Sequence, residues 1–267
     1  MRGGLYQKII PCLMEVSGMA DKIYGFSGNY SSWQEVRKIS TSYDTPEILN
    51  KVKEAALKVK SGEALCERDS ILFNECEYAQ PLIRCLLNIA SYNNNKLRIL
   101  DFGGSLGSSY YACRNSLMHL DELSWSIVEQ KHFVDCGKQL FEENSLKFYH
   151  SIDECVQTEN PHVILFSGVI QYLEEPYKFL EQVMKYNFEF VLFDRTPFFD
   201  VEDRITLQVV PPQIYEASYP AWFFNLDKFL RFFRHKYDII NAFDSFESWR
   251  LEDVQSQNKG FLFKKST

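Results

Sequence analysis

An apolar run that meets an acidic residue and then closely spaced glycines leaves few folds open. Residues Leu97 to Tyr111, LRILDFGGSLGSSYY, are such a junction. The apolar part has strand character, and the stretch from Ser108 onward is compatible with a helix. In an open α/β sheet this is where a ligand sits, beyond the carboxyl ends of the strands. Asp101 stands two residues before Gly103, and Gly104, Ser105 and Gly107 follow. Glycines let the backbone pass close under a ligand, and the first N–H groups of the next helix point at it.

The rest of the chain keeps alternating strand-like and helix-like runs. Trp125 to Val128 is a short β-prone run ending in Glu129, and Leu146 to Tyr149 is a third strand candidate. Val163 to Phe166 is continuously apolar, as a strand covered on both faces should be. Ser167 and Gly168 open a turn, Phe179 to Tyr186 has helical spacing, and Phe190 to Phe193 is a fifth strand running into Asp194-Arg195-Thr196-Pro197. Residues 226 to 235 read as a helix capped by Asn225, and Tyr237 to Phe243 with Gly260 to Lys264 form a closing antiparallel hairpin. This pattern predicts a doubly wound α/β sheet. Before residue 96 it predicts helices and loops without a strand, one helix starting at Thr45-Pro46.

Three readings fit the glycine turn. A dinucleotide-binding G-x-G-x-x-G would place Gly103, Ser105 and Ser108 at its glycine positions, and two of the three fail. Gly103 to Gly107 fits G-x-S-x-G, the nucleophile elbow of α/β-hydrolases, with Ser105 as nucleophile and Asp194 and His235 in permissible order. Against it stand the absence of upstream strands and of a His-Gly-Gly-Gly run. The third is an S-adenosylmethionine (SAM) site. It requires a carboxylate at the end of the next strand to accept the ribose hydroxyls, and Glu129 occupies that place.

The pattern resembles the class I SAM-dependent methyltransferases. The strings YGFSGNYSSWQE (24 to 35), ERDSILF (67 to 73), VEQ (128 to 130), DRTPF (194 to 198), YEASYPAWFF (215 to 224) and KGFLFK (259 to 264) narrow the resemblance. With DFGGSLGSSYY, they resemble a family of bacterial proteins assigned as methyltransferases and encoded among genes for O-antigen, capsule and other surface glycans. The resemblance implies a Rossmann-like α/β sheet of seven strands in the order 3-2-1-4-5-7-6. It divides the chain into a helical N-terminal lid region (1–95) and a SAM-binding domain (96–267) with an aromatic insertion at about 198–225. It implies O-methylation of a sugar, whether free, nucleotide-linked or lipid-linked.

Site residues follow from the same resemblance. Asp101, Gly103, Gly104, Ser105, Gly107, Glu129, Gln130, His150, Ser151, Ile152, Ser167 and Gly168 are expected to bind SAM. Gln171, Tyr215, Tyr219, Trp222 and Arg68 are expected to hold the acceptor. Asp194 is the expected base, with Arg195 and Tyr172 beside it and His132 and His150 as rivals; an internal Asp194/Arg195 contact is the structural alternative. Glu67-Arg68-Asp69 reads as a solvated loop or as part of a lid. A SAM-binding scaffold without catalysis in glycan assembly is a further alternative.

Composition limits partners more than chemistry. A net charge of −7 and no basic patch argue against a nucleic-acid substrate. No run of 18 apolar residues suggests a membrane span, and the start MRGGLYQKIIPCLMEV is a poor signal peptide, so stable membrane insertion is not expected. The expected location is the cytoplasm, with peripheral contact to the inner membrane as a variant. Seven scattered cysteines predict neither a disulfide framework nor a zinc site, and no carboxylate/histidine cluster calls for a metal.

Overall fold

The computed structural model describes residues 24–43, 45–245, 249–251 and 254–266; the expectation about the first residues lies outside them. The chain opens with strand β1 (Gly25–Tyr30), helices Trp33–Arg37 and Pro46–Ser61, strands β2 (Cys66–Arg68) and β3 (Ile71–Phe73), and helix Gln80–Tyr92. Alternation follows through β4 (Lys96–Phe102), helix Ser108–Leu117, β5 (Glu122–Val128), helix Lys131–Leu140, β6 (Leu146–Tyr149), helix Ile152–Glu159 and β7 (Val163–Ser167). After helix Pro176–Val183 come β8 (Phe190–Phe199), β9 (Arg204–Val210) and β10 (Ala217–Asn225). Helix Leu226–Phe233, β11 (Tyr237–Asp244), β12 (Arg250–Leu251), β13 (Val254–Gln255) and β14 (Gln257–Lys265) end it.

Strands β6, β5, β4, β7 and β8 lie side by side in parallel, and β14 and β11 continue antiparallel beyond β8. All five β7 side chains are buried, which explains why that run carries no alternation. Leu97 and Ile99 join one core with helices Pro46–Ser61, Gln80–Tyr92 and Ser108–Leu117. Leu100, next after Ile99 and so on the other side of the pleat, joins the other core with Leu180 and Phe229 from the helices of the opposite face. The expected Asn225 cap forms, its Oδ1 accepting from Lys228 N–H at 2.8 Å, and at the expected helix start Thr45 Oγ1 accepts from Ile48 N–H at 3.4 Å.

Four expectations are corrected. Among the described residues the main sheet has ten strands rather than seven, because it forks at β8. The far half of β8 pairs in parallel with β10, β10 pairs antiparallel with β9, and β9 with β1. The aromatic insertion is therefore a strand hairpin, and the N-terminal region holds strands as well as helices. β1, GFSGNY, has no apolar alternation and becomes a strand because β9 offers it an edge. The fifth strand does not end at Phe193 but runs on through Asp194–Pro197 to Phe199. Finally, Cys66 and Cys76 form a disulfide, since the β2–β3 hairpin folds the chain back on itself. Among the described residues no helix is long and apolar enough to cross a membrane.

Candidate active site

The glycine turn and Glu129 lie at the ends of neighbouring parallel strands. Phe102 and Val128 are register partners, and Gly103 N–H donates to the Val128 carbonyl at 2.9 Å. Gly103 has φ +71°, and a Cβ there would stand 2.4 Å from Val169 Cγ2. Gly103→Ala is therefore expected to cost about 2–4 kcal/mol, from the left-handed backbone and the crowding of a β-branched neighbour. Urea unfolding checks this, and an unchanged midpoint would show that the turn relaxes freely.

Asp101 supports this turn from beneath and does not reach the cavity described below. It is 1% exposed, accepts from Trp125 Nε1 at 3.0 Å, and its Oδ2 lies 2.6 Å from where a Gly104 Cβ would be. Burial, opposed by that hydrogen bond, pushes its carboxyl up to about 7, and its Oδ1 makes no hydrogen bond.

A cavity of about 750 Å³ opens over the strand ends. Of the expected cofactor residues, Gly103, Gly104, Ser105, Glu129, Gln130, His150, Ser167 and Gly168 line it. Gly107 instead caps helix Ser108–Leu117 with φ +103° and faces Tyr111 and Leu146. Ser151 caps helix Ile152–Glu159 by accepting from Glu154 N–H at 3.1 Å, and Ile152 packs into the core. Gly107 and Ser151 thus serve helix starts, where a glycine or serine serves the helix as readily as a ligand.

Of the acceptor and catalytic residues, Arg68, Gln171, Tyr172, Arg195, Tyr215 and Tyr219 reach the wall. Trp222 does not. Its Nε1 donates to the Leu173 carbonyl at 3.1 Å and its ring stacks at 6.2 Å on Trp33, which does line the cavity.

Asp194 is also kept from the cavity, and a β-bulge explains why. Thr196 pairs with Lys259 and Phe193 with Phe261, so Asp194 and Arg195 together oppose Gly260. Arg195 takes φ +54° there, and the alternation of side chains breaks. The Asp194 carboxylate, 7% exposed, accepts from Ser167 Oγ at 2.8 Å and lies 3.8 Å from Arg195 Nε. The guanidinium crosses Gly168, which has φ +66° and where a Cβ would meet Nη2 at 2.8 Å, and donates to the Ser167 carbonyl at 3.2 Å. The internal Asp194/Arg195 contact is thus present, and it leaves Arg195 on the cavity wall.

The hydrolase constellation does not assemble. Ser105 lines the cavity, whereas neither Asp194 nor His235 does. Of the rival bases, His150 lines the wall and His132 does not.

The hairpin β2–β3 supplies residues that sequence reasoning underrated. Asp69 and Ser70, at φ +50° and +66°, make its two-residue turn, and Glu67, Arg68 and Asp69 all reach the cavity. Glu67 is 2% exposed, accepts from Ser108 Oγ at the start of the helix after the glycine turn, and accepts from Ser70 N–H at 3.2 Å. Burial raises its carboxyl to about 7, against the opposing pull of these hydrogen bonds and of Arg68. Asp69 faces Tyr43, Tyr215 and Tyr219, whose phenols burial holds well above their ordinary range, with Asp69 adding to the shift. The dense charge of Glu67-Arg68-Asp69 was the available signal. Tyr43, Trp33 and Gln208, also on the wall, had none.

Fold and site together define a doubly wound, Rossmann-like α/β protein with a ligand cavity at the carboxyl ends of its strands. No protein-family model matches the chain, and no curated protein sequence does. Among solved structures, the chain is similar to the N-terminal domain of EvdMO1 crystallised with SAH and D-fucose. That match has a TM-score of 0.49 and 12% identity, covering 84% of this chain and 97% of that one. It is also similar to the 1,6-didemethyltoxoflavin-N1-methyltransferase of Burkholderia thailandensis (TM-score 0.45, 9% identity, 90% and 93% covered). A third is the magnesium protoporphyrin IX methyltransferase of Synechocystis PCC 6803 with bound SAH (TM-score 0.45, 10% identity, 71% and 84% covered). At these scores the likeness bears on neither activity nor substrate.

Proposed function

We propose that the chain is a SAM-dependent methyltransferase acting on a hydroxyl of a sugar, as part of a bacterial surface polysaccharide or its precursor. The observation that carries this reading is the meeting of Gly103–Ser105 with the Glu129 carboxylate at the ends of adjacent parallel strands on one cavity wall. The strand path β6-β5-β4-β7-β8-β14-β11 supports it, since that path is the order 3-2-1-4-5-7-6 expected of the class.

The donor set fits the cofactor. Glu129 is an acceptor for two ribose hydroxyls, Gln130 and His150 flank it, and the turn with the first N–H groups of helix Ser108–Leu117 suits a carboxylate. When bound, SAM supplies a methyl group on an activated sulfonium. The protein's part is to align an acceptor oxygen and accept its proton. Arg195 offers a planar fork of donors to the acceptor, and Asp194 and Ser167 hold that fork in place. With Asp194 turned inward, Asp69 at the hairpin tip is the carboxylate placed to take the proton, and the N-terminal region covers the site as a lid. The acceptor is a free, nucleotide-linked or lipid-linked sugar, and the cytoplasmic face of the inner membrane is the place such acceptors are made.

The test is incubation with labelled SAM and a panel of nucleotide sugars and lipid-linked glycans, read by mass spectrometry. Methylated glycan and SAH release are expected from the wild type and are expected to be lost in Asp69→Asn. SAM binding without turnover on any acceptor would leave a scaffold, and absence of SAM binding would end the reading.

A further inference from the structure

We propose that the Cys66–Cys76 disulfide is a reversible modification site, opened by an external thiol at Cys76, and that its opening releases the β2–β3 hairpin from the cavity. The consequence for methyl transfer rests on the function proposed above; the site itself does not.

The disulfide joins the first residue of β2 to the residue before the short helix Glu77–Ala79, so it closes the chain around the whole hairpin. The two strands are three residues each and pair with each other in a sheet apart from the main one. A hairpin of this size is marginal by itself, and a crosslink across its ends removes much of the freedom that it would otherwise gain. Glu67, next after Cys66, meets Ser108, and the Arg68 guanidinium lies 4.0 Å over the ring of Tyr78, two residues beyond Cys76. Both contacts are tied to the crosslink, and with them the placing of Arg68 and Asp69 on the cavity wall.

Exchange chemistry converges on this pair. Cys66 is fully buried and Cys76 is partly exposed, so a thiolate from solvent reaches the Cys76 sulfur. Its attack forms a mixed disulfide at Cys76 and expels Cys66 as a thiolate. A second external thiol then frees Cys76 and leaves as the oxidised dimer of the reductant. Two electrons pass from the external thiols to the protein, and their two protons end on Cys66 and Cys76. The Glu75 carbonyl lies 3.5 Å from Cys66 Sγ, placed to accept from the thiol formed there. The other described cysteines do not compete. Cys85, Cys113, Cys136 and Cys155 are free, and burial raises each of their thiols, those of Cys85 and Cys155 being pushed up to about 12. In a reducing compartment, a disulfide that exchanges in this way acts as a sensor rather than a staple.

The test is hydrogen-exchange mass spectrometry of the full chain after oxidised glutathione, after dithiothreitol without denaturant, and after reoxidation, with thiols mapped by alkylation in each state. Reduction is expected to open Cys66 and Cys76 to alkylation, to speed amide exchange over residues 67–73 about tenfold or more, and to leave β4 to β8 unchanged. Reoxidation is expected to restore the slow rate. Cys76→Ser is expected to show the fast rate in every state, and Cys66→Ser to take up one glutathione at Cys76. A pair that stays reduced in oxidised glutathione, a disulfide that survives dithiothreitol in the folded protein, or equal exchange in the two states would each overturn the proposal. In the glycan assay, reduction is expected to slow methyl transfer about tenfold because Arg68 and Asp69 leave the wall, while Glu129 and the glycine turn hold SAH affinity within about threefold. Absence of methyl transfer in both states would overturn the methyl-transfer reading, while the exchange rates still decide the redox site.

Discussion

Replacing Glu129 with alanine is expected to weaken SAM binding about a hundredfold or more in calorimetric titration, while leaving the fold intact. The carboxylate stands just beyond the buried end of β5, and its own Oε2 already accepts from Gln130 N–H at 2.5 Å, which fixes the side chain at the strand end. Two charge-assisted hydrogen bonds to vicinal hydroxyls, each contributing about 1.5–3 kcal/mol, are lost in the variant. Truncation leaves little behind it that needs a partner, because Glu129 is only partly buried. Glu129→Gln is expected to recover part of the affinity, since an amide oxygen still accepts without charge. Unchanged affinity in Glu129→Ala would remove the cofactor assignment with its strongest support.

The ligand-free protein is expected to lose stability as pH rises from about 4.5 to beyond 7. Asp101 and Glu67 both titrate at about 7 in the folded chain, above ordinary values of 3.8 and 4.5. Between those limits the folded state holds two protons that the unfolded chain has released. Stability is therefore full below the ordinary values and falls as pH passes through the folded values, on the order of 3 kcal/mol for each group. The groups facing Asp101 are Trp125, Glu129, Asp194 and Arg195, and those facing Glu67 are Ser108, Ser70, Arg68 and Asp69. Asp101→Asn keeps an acceptor for the Trp125 indole, and Glu67→Gln keeps one for Ser108 and Ser70. Each variant is expected to flatten part of the profile and to exceed the wild type in stability at pH 8. Urea unfolding between pH 5 and pH 8 measures it; a wild-type stability that rises over this range would contradict the assignment of both carboxyls.

How far the site could be read from sequence depended on how local its causes were. Glu129, Gly103 and Ser105 were legible because a strand end and a glycine turn are consecutive features of the chain. Asp101, Gly107, Ser151 and Ile152 belong to the same local strings, yet each supports a turn or a helix start from the inside. Residue type does not separate the two roles; the direction of the side chain does. Asp194 is the sharpest case. One extra residue in β8 at the bulge turned Arg195 to the cavity and left Asp194 against Ser167.

By itself the sequence determined the alternation of buried parallel strands and amphipathic helices from β4 to β8, the Asn225 cap, and the closing hairpin of β11 and β14. These follow from hydrophobic periodicity and from side chains that cap their own helices. Only the tertiary structure decided that β1, β9 and β10 extend the sheet and that the β2–β3 hairpin brings Glu67 and Asp69 to the cavity. β1 and β10 pair with strands far away in the chain, β9 and β8, and no local pattern encodes such a partner.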